Sequence, residues 1–313
     1  MESKEMRAAY AETLVSLAAA NPDILVLEAD LMRATGTGIF QKAYPDRLIN
    51  VGVAEANMVG VASGLSAVGY IPFASTFGCF ASRRVFDQFF LSANYAQLNV
   101  KLVGTDPGVT AAYNGGTHMP FEDLGLMRTI PGLTIVEPSD PVSCAAYTAL
   151  AAETYGCFYM RLPRKAAPFL YGADEVFQIG KAKVLREGRD LTFVSLGALM
   201  AGECLAAAKE LEAEGKSVGV IDALCLKPLD GAAILAAART SGRVITAENH
   251  QIAGGLGSAV AELLAESRFG GAFARVGVRD LFGEVGTQDY LAKRYGLTAA
   301  DLAREARTML SST

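Results

Sequence analysis

Few side chains in this 313-residue chain can move a proton near neutral pH, since it has only two histidines, His118 and His250. His118 lies in Asn114-Gly115-Gly116-Thr117-His118-Met119-Pro120, a glycine-rich loop pattern rather than an apolar face. A third candidate is Glu55, in Leu48-Ile49-Asn50-Val51-Gly52-Val53-Ala54-Glu55-Ala56-Asn57-Met58. This stretch reads as an apolar strand running without a linker into a helix, with Glu55 in the helix's first turn. An ionised carboxylate suits a helix N-terminus, whereas burial among small apolar neighbours opposes its charge. A carboxyl held between those pulls suits a proton handler, although an ordinary first-turn glutamate gives the same pattern.

Arginines supply the candidate anion holders, because a guanidinium donates parallel hydrogen bonds to phosphate-like groups. Arg161 and Arg164, in Arg161-Leu162-Pro163-Arg164, compete for that role. Glu248-Asn249-His250 precedes Gly254-Gly255-Leu256-Gly257, where a helix N-terminus can bind an anion or the glycines can serve close packing. Gly36-Thr37-Gly38 lacks the third glycine of a phosphate fingerprint and is weak.

The elements that must position these groups alternate between strand and helix. Apolar runs predict strands at 24–28, 48–53, 71–75, 100–103, 133–137 and 158–162, with helices at 3–20, 54–68, 81–96, 121–129 and 141–155 between them. After a break at 163–174, strands are expected at 191–196, 218–221, 244–246 and 273–278. Helices are expected at 201–214, 229–239, 255–266 and from Thr298 onward. The pattern predicts an α/β chain of two consecutive doubly wound, mainly parallel-sheet domains, 1–170 and 171–313. Ligands in such sheets sit beyond the C-terminal ends of the strands. Glu55, Phe77, the 105–120 loop and Arg161 or Arg164 all fall there.

Composition narrows the partners. A formal charge of −5 with no basic run argues against nucleic acid or an anionic membrane. The five cysteines lie in apolar segments without metal spacing and read as reduced core residues. The charged N-terminus is not followed by an apolar targeting region, so a cytoplasmic location is expected.

Val51-Gly52-Val53-Ala54-Glu55-Ala56-Asn57 resembles the segment carrying the cofactor-activating glutamate of transketolases. Thr76-Phe77-Gly78-Cys79-Phe80 resembles that family's cofactor-stacking segment, and Asn114 to Pro120 its Asp-Gly-x-Thr-His-x-Pro loop, in the same order. The resemblance covers the whole chain and corresponds to the C-terminal half of a full-length transketolase, its pyrimidine-binding and C-terminal domains.

The resemblance implies thiamine diphosphate, with Glu55 hydrogen-bonded to N1′ of the aminopyrimidine and Phe80 stacked on that ring. Phe77 would stand one helical turn earlier on the pocket wall, and Arg83 occupies a position that is often aromatic in transketolases and arginine in deoxyxylulose-phosphate synthases. His118 would contact donor hydroxyls and assist proton transfer. Arg164 and Arg7 would hold a substrate phosphate. The chain lacks a Gly-Asp-Gly motif with a following metal-binding asparagine. An N-terminal-type partner subunit is therefore expected to supply the diphosphate and Mg²⁺ site, in an α2β2 heterotetramer.

Two departures bear on substrate. Asn114 stands where the family has an aspartate that reads a donor hydroxyl, and Asp106 stands where transketolases have a phosphate-holding histidine. The expected activity is transfer of a two-carbon ketol unit from a ketose, or ketose phosphate, to an aldose. The donor is expected to differ from the usual sugar phosphates in configuration, branching or terminal anion. Alternatives on the same scaffold are part of a deoxyxylulose-phosphate synthase, a 2-oxo acid dehydrogenase β subunit, against which the Gly-Gly-Thr-His loop speaks, and a non-catalytic subunit.

Overall fold

A computed structural model describes residues 2–311, so Met1 and the last two residues of the expected second domain lie outside the described residues. The first half builds a sheet of seven strands in the order Cys225–Lys227, Thr134–Val136, Phe158–Leu162, Lys101–Thr105, Ile71–Phe77, Ile24–Glu28, Leu48–Asn50. Six of these run parallel, as helical crossovers require. Cys225–Lys227 enters from the second half and pairs antiparallel with Thr134–Val136. The sequence pattern gives no sign of this crossing strand, which is only three residues long.

The second sheet has five strands in the order Ala272–Val278, Arg243–Gln251, Leu191–Leu196, Val218–Asp222, Lys183–Arg186, the last antiparallel. Leu191–Leu196 and Val218–Asp222 are buried along their whole length, which explains why they read as continuous apolar runs. The halves share a core, since Ala223, Leu226 and Ile234 pack in one cluster with Leu27, Met58 and Leu102. All five cysteines are free and buried. No helix among the described residues is long and apolar enough to cross a membrane.

Two local features differ from expectation. The strand ends at Asn50, and residues 51–54 turn the chain, with Gly52 at φ 74°, before the helix Glu55–Ala67 starts. The region expected as one helix over 81–96 is a π-turn at Phe80–Arg84, a short α-helix at Phe86–Gln88 and a second π segment at Phe89–Tyr95. Such turns carry i→i+5 bonds and recur at functional sites. Residue periodicity alone does not separate them from α-helix, because the apolar face continues.

Candidate active site

Glu55 occupies the first position of its helix, and its side chain is 2 % exposed. Its neighbours in sequence are small and apolar, and its charge is met from elsewhere in the chain. Arg84 Nη1 donates to both carboxylate oxygens, at 2.8 and 2.7 Å. Sequence reading missed Arg84. The signal was physical, since a carboxylate buried among apolar residues needs a counter-charge.

The same guanidinium lies over Phe80, its Cζ 3.9 Å from the ring centroid. His118 stands edge-on to Phe80, with centroids 5.2 Å apart, and edge-on to Phe77 at 6.0 Å. Phe77 is the last residue of its strand rather than part of a helix, which corrects its expected placement. His118 Nδ1 shares a 2.8 Å hydrogen bond with the Thr117 hydroxyl. Arg83 donates to the Thr117 carbonyl at 3.0 Å and pairs with Glu122 at 3.2 Å. Cys79, Phe80, Arg83, Arg84, Thr117 and His118 line an open cleft of about 600 Å³.

This arrangement fits an aminopyrimidine. A flat body bearing N–H donors already sits on the Phe80 face with its edge on the Glu55 carboxylate, so a planar group finds both an aromatic face and a hydrogen-bonding edge there.

A second corner gathers the candidate anion holders. Asp106 follows the strand Lys101–Thr105 directly, is 1 % exposed, and lies 3.0 Å from Arg164 Nε. Burial pushes its carboxyl up to about 6, against the pull of Arg164, Lys165 and Arg7. Arg164 also sits over Phe77, 5.8 Å from its centroid, which links this corner to His118. Arg7 donates to both oxygens of Glu5, at 2.8 and 3.2 Å, and to the carbonyls of Arg33 and Ala34. Glu28, missed in the sequence, holds that carbonyl-bearing loop by accepting from the Thr35 and Thr37 hydroxyls at 2.6 Å each. The half-buried Asn114 has an amide nitrogen shielded from solvent and without a hydrogen-bond partner.

The loop carrying Asn114 and His118 is anchored by the second half of the chain. Val109, Ala111, Met119 and Phe121 belong to the second half's core cluster. Burying Val109, Met119 or Phe121 contributes about 1.5 to 3 kcal/mol each. Asn249 accepts from the Val109 N–H and donates to the Pro107 carbonyl, both at 2.9 Å. Gly115 and Gly116 are glycines for contact, since a Cβ on either would collide with Val285 or with the Gly283 carbonyl. Asp106 and Ala112 hold φ of 56° and 47°, a left-handed conformation costly for non-glycine residues and common at ligand sites.

Other sequence candidates leave the site. Arg161 is fully buried, bonded to Asp123, Glu137 and the Asn249 carbonyl, and so does not compete for a substrate anion. Both of its ion pairs lie within the first half, and its bond to the Asn249 carbonyl reaches the second. His250 is buried beside it, and burial pushes its imidazole down to about 4. The helix after it does bind an anion, but that anion is Glu248, which accepts from the Leu256 and Gly257 N–H groups at 2.7 and 2.8 Å. Gly36 caps the short helix Met32–Thr35 and packs on Arg7. No cluster of three or more His, Cys, Asp or Glu suited to a metal ion occurs among the described residues.

Comparison with known proteins gives two family matches, the transketolase pyrimidine-binding domain over residues 2–168 and the transketolase C-terminal domain over 180–302. The 6-deoxy-6-sulfo-D-fructose transketolase subunit SqwH of Clostridium sp. (strain MSTE9) is 48 % identical over 307 residues, 98 % of this chain and 94 % of that protein. A putative transketolase C-terminal section of Methanocaldococcus jannaschii is 38 % identical over 96 % of this chain and 95 % of its own length. Human transketolase is 38 % identical over 81 % of this chain, which matches 41 % of that protein. Among solved structures, a split-gene transketolase described as an inactive beta4 tetramer superposes with a TM-score of 0.91 at 45 % identity, covering 98 % of both chains.

Proposed function

The chain belongs to the transketolase family, and from that premise we propose that it is the C-terminal-type subunit of a split, thiamine-diphosphate-dependent enzyme that transfers a two-carbon ketol unit from a ketose to an aldose. One observation carries the reading: Glu55, the Phe80 face and His118 surround a single flat slot at the C-terminal ends of the parallel strands. A non-catalytic subunit has no need to keep a buried carboxylate, an aromatic face and an imidazole around one cleft.

Thiamine diphosphate supplies a thiazolium carbon able to add to a ketose carbonyl. Glu55 holds a proton at the ring's N1′, and its burial keeps water from competing for that hydrogen bond. Phe80 fixes the ring plane. His118, oriented by Thr117, faces the slot and exchanges protons with donor hydroxyls. The diphosphate and its Mg²⁺ fall to an N-terminal-type partner. Val53, Tyr113 and Phe282, on loops beside Glu55, Asn114 and Gly283, are 75 %, 72 % and 97 % exposed and offer the partner an apolar seat.

The charge of the anion corner favours a donor ending in a single negative charge, as a sulfonate does. Arg7 is paired with Glu5 and Arg164 with Asp106, which leaves Lys165 as the surplus cation near Asp106, one positive charge rather than the two that suit a phosphate dianion. The SqwH relative, whose name specifies a sulfo-sugar, supports the same reading.

The test is Glu55→Gln in the assembled enzyme. Glutamine keeps the shape but is not an acidic partner for N1′, so C2–H exchange of the bound cofactor should slow by about two to four orders of magnitude. Unchanged exchange would return Glu55 to a helix-capping role.

A further inference from the structure

Resting on the cofactor reading above, we infer that Arg84 stands in for the aminopyrimidine ring in the free chain and must be withdrawn before the cofactor can seat. The guanidinium makes the contacts assigned to the ring. It is planar, donates to both oxygens of Glu55, and lies 3.9 Å over Phe80. Two flat bodies cannot use one aromatic face and one carboxylate edge together.

The position of Arg84 suits a removable plug. Its side chain is 45 % exposed while Glu55 is 2 % exposed, so it approaches the carboxylate from the solvent side and can leave by the same route. No core side chain has to repack. Its neighbour Arg83 is tied to Thr117 and Glu122, which confines the movement to Arg84 itself. Arg84 also ends the π-turn Phe80–Arg84, a winding that occurs mostly as single turns and is frequent at functional sites.

The exchange has an electrostatic logic. Glu55 buried without a partner would be unfavourable, and Arg84 supplies the counter-charge until a ring N–H replaces it. The cofactor therefore competes with an internal ligand, and its apparent affinity falls by the fraction of chains with the slot open. A chain without its partner keeps a closed slot.

The full chain tests this directly. Phenylglyoxal modification of Arg84 is read by peptide mass spectrometry, and thiamine binding is measured by equilibrium dialysis in the same samples. Arg84 should label several-fold faster when thiamine saturates the chain, and also in Glu55→Gln, where the charged partner is gone. Arg84→Ala, or Arg84→Met if the shorter side chain prevents folding, should bind thiamine at least about tenfold more tightly than wild type, the scale of one charge-assisted hydrogen bond. If thiamine binds while Arg84 labelling is unchanged or slowed, or the variants bind it no better, the plug is overturned and the cofactor reading stands. If thiamine binds neither wild type nor variant, the plug is overturned, and the cofactor reading is decided by the Glu55→Gln exchange measurement in the assembled enzyme.

Discussion

Arg164 Nε lies 3.0 Å from Oδ1 of the buried Asp106, so the arginine best placed for a substrate anion already carries a counter-charge. Where transketolases are expected to have a phosphate-holding histidine, this chain places a carboxylate that weakens the arginine's field instead of adding to it. The corner then weighs the charge of its ligand as well as its shape.

Asp106→Asn should change donor choice. With that negative charge gone, a ketose ending in phosphate, largely dianionic above pH 7, gains more than one ending in sulfonate. The kcat/KM ratio of C6-phosphate to C6-sulfonate donor should rise about tenfold, or about 1.4 kcal/mol. An unchanged ratio in the assembled enzyme would show that the corner does not weigh charge.

The same substitution should raise stability in alkaline solution. Burial lifts Asp106 from an ordinary 3.8 to about 6, so the folded chain holds this proton more tightly than the unfolded one. The stabilisation linked to that proton is complete below about pH 3.8 and is lost as pH rises through about 6. Asn does not ionise. Urea melts at pH 8 should therefore find Asp106→Asn more stable than wild type by about 1 to 3 kcal/mol, with the difference shrinking toward pH 4. Equal pH profiles would mean that Asp106 is charged at no cost.

Asn114 presents a solvent-shielded amide nitrogen with no hydrogen-bond partner among the described residues, a donor suited to a substrate oxygen. Aspartate at this position is a charged acceptor. Asn114→Asp should shift the kcat/KM ratio toward xylulose 5-phosphate, relative to a sulfonate-bearing donor, by about 1 to 3 kcal/mol. If wild type uses xylulose 5-phosphate as efficiently as any donor tested and the variant gains nothing, the substitution is neutral to substrate choice.

Arg161 and Arg164 should separate cleanly by stability. Arg161→Met strands Asp123 and Glu137 as buried charges and should destabilise the chain by about 3 to 5 kcal/mol. Arg164→Met leaves the buried Asp106 with Lys165 and Arg7 still near it and able to take up a proton, so it should cost less, about 1 to 2 kcal/mol at neutral pH, while raising KM for an anionic donor. Comparable melting of the two variants would undo this division of labour.

The sequence by itself determined the layered α/β plan, and it singled out Glu55, Phe80 and His118 as the candidate carboxylate, aromatic and imidazole. Apolar runs such as Phe158–Leu162 and Leu191–Leu196 are buried on both faces, so their pattern is local and readable. Glu55 and Phe80 each open a helical turn within five residues of a strand end, and His118 lies in a glycine-bearing loop, patterns that short stretches encode.

Only the tertiary structure decided what surrounds them. Arg84 is close to Glu55 although 29 residues separate them in the chain, and a π-turn that leaves no mark in apolar periodicity brings it there. Arg161 stood as the competitor to Arg164 until packing of the layers buried it together with His250, because burial is a property of the assembled layers and not of a segment. Glu248 filling its own helix terminus, and the strand Cys225–Lys227 crossing into the first sheet, have the same cause. Ion pairs and short edge strands are chosen by proximity in space, which residue spacing along the chain does not encode.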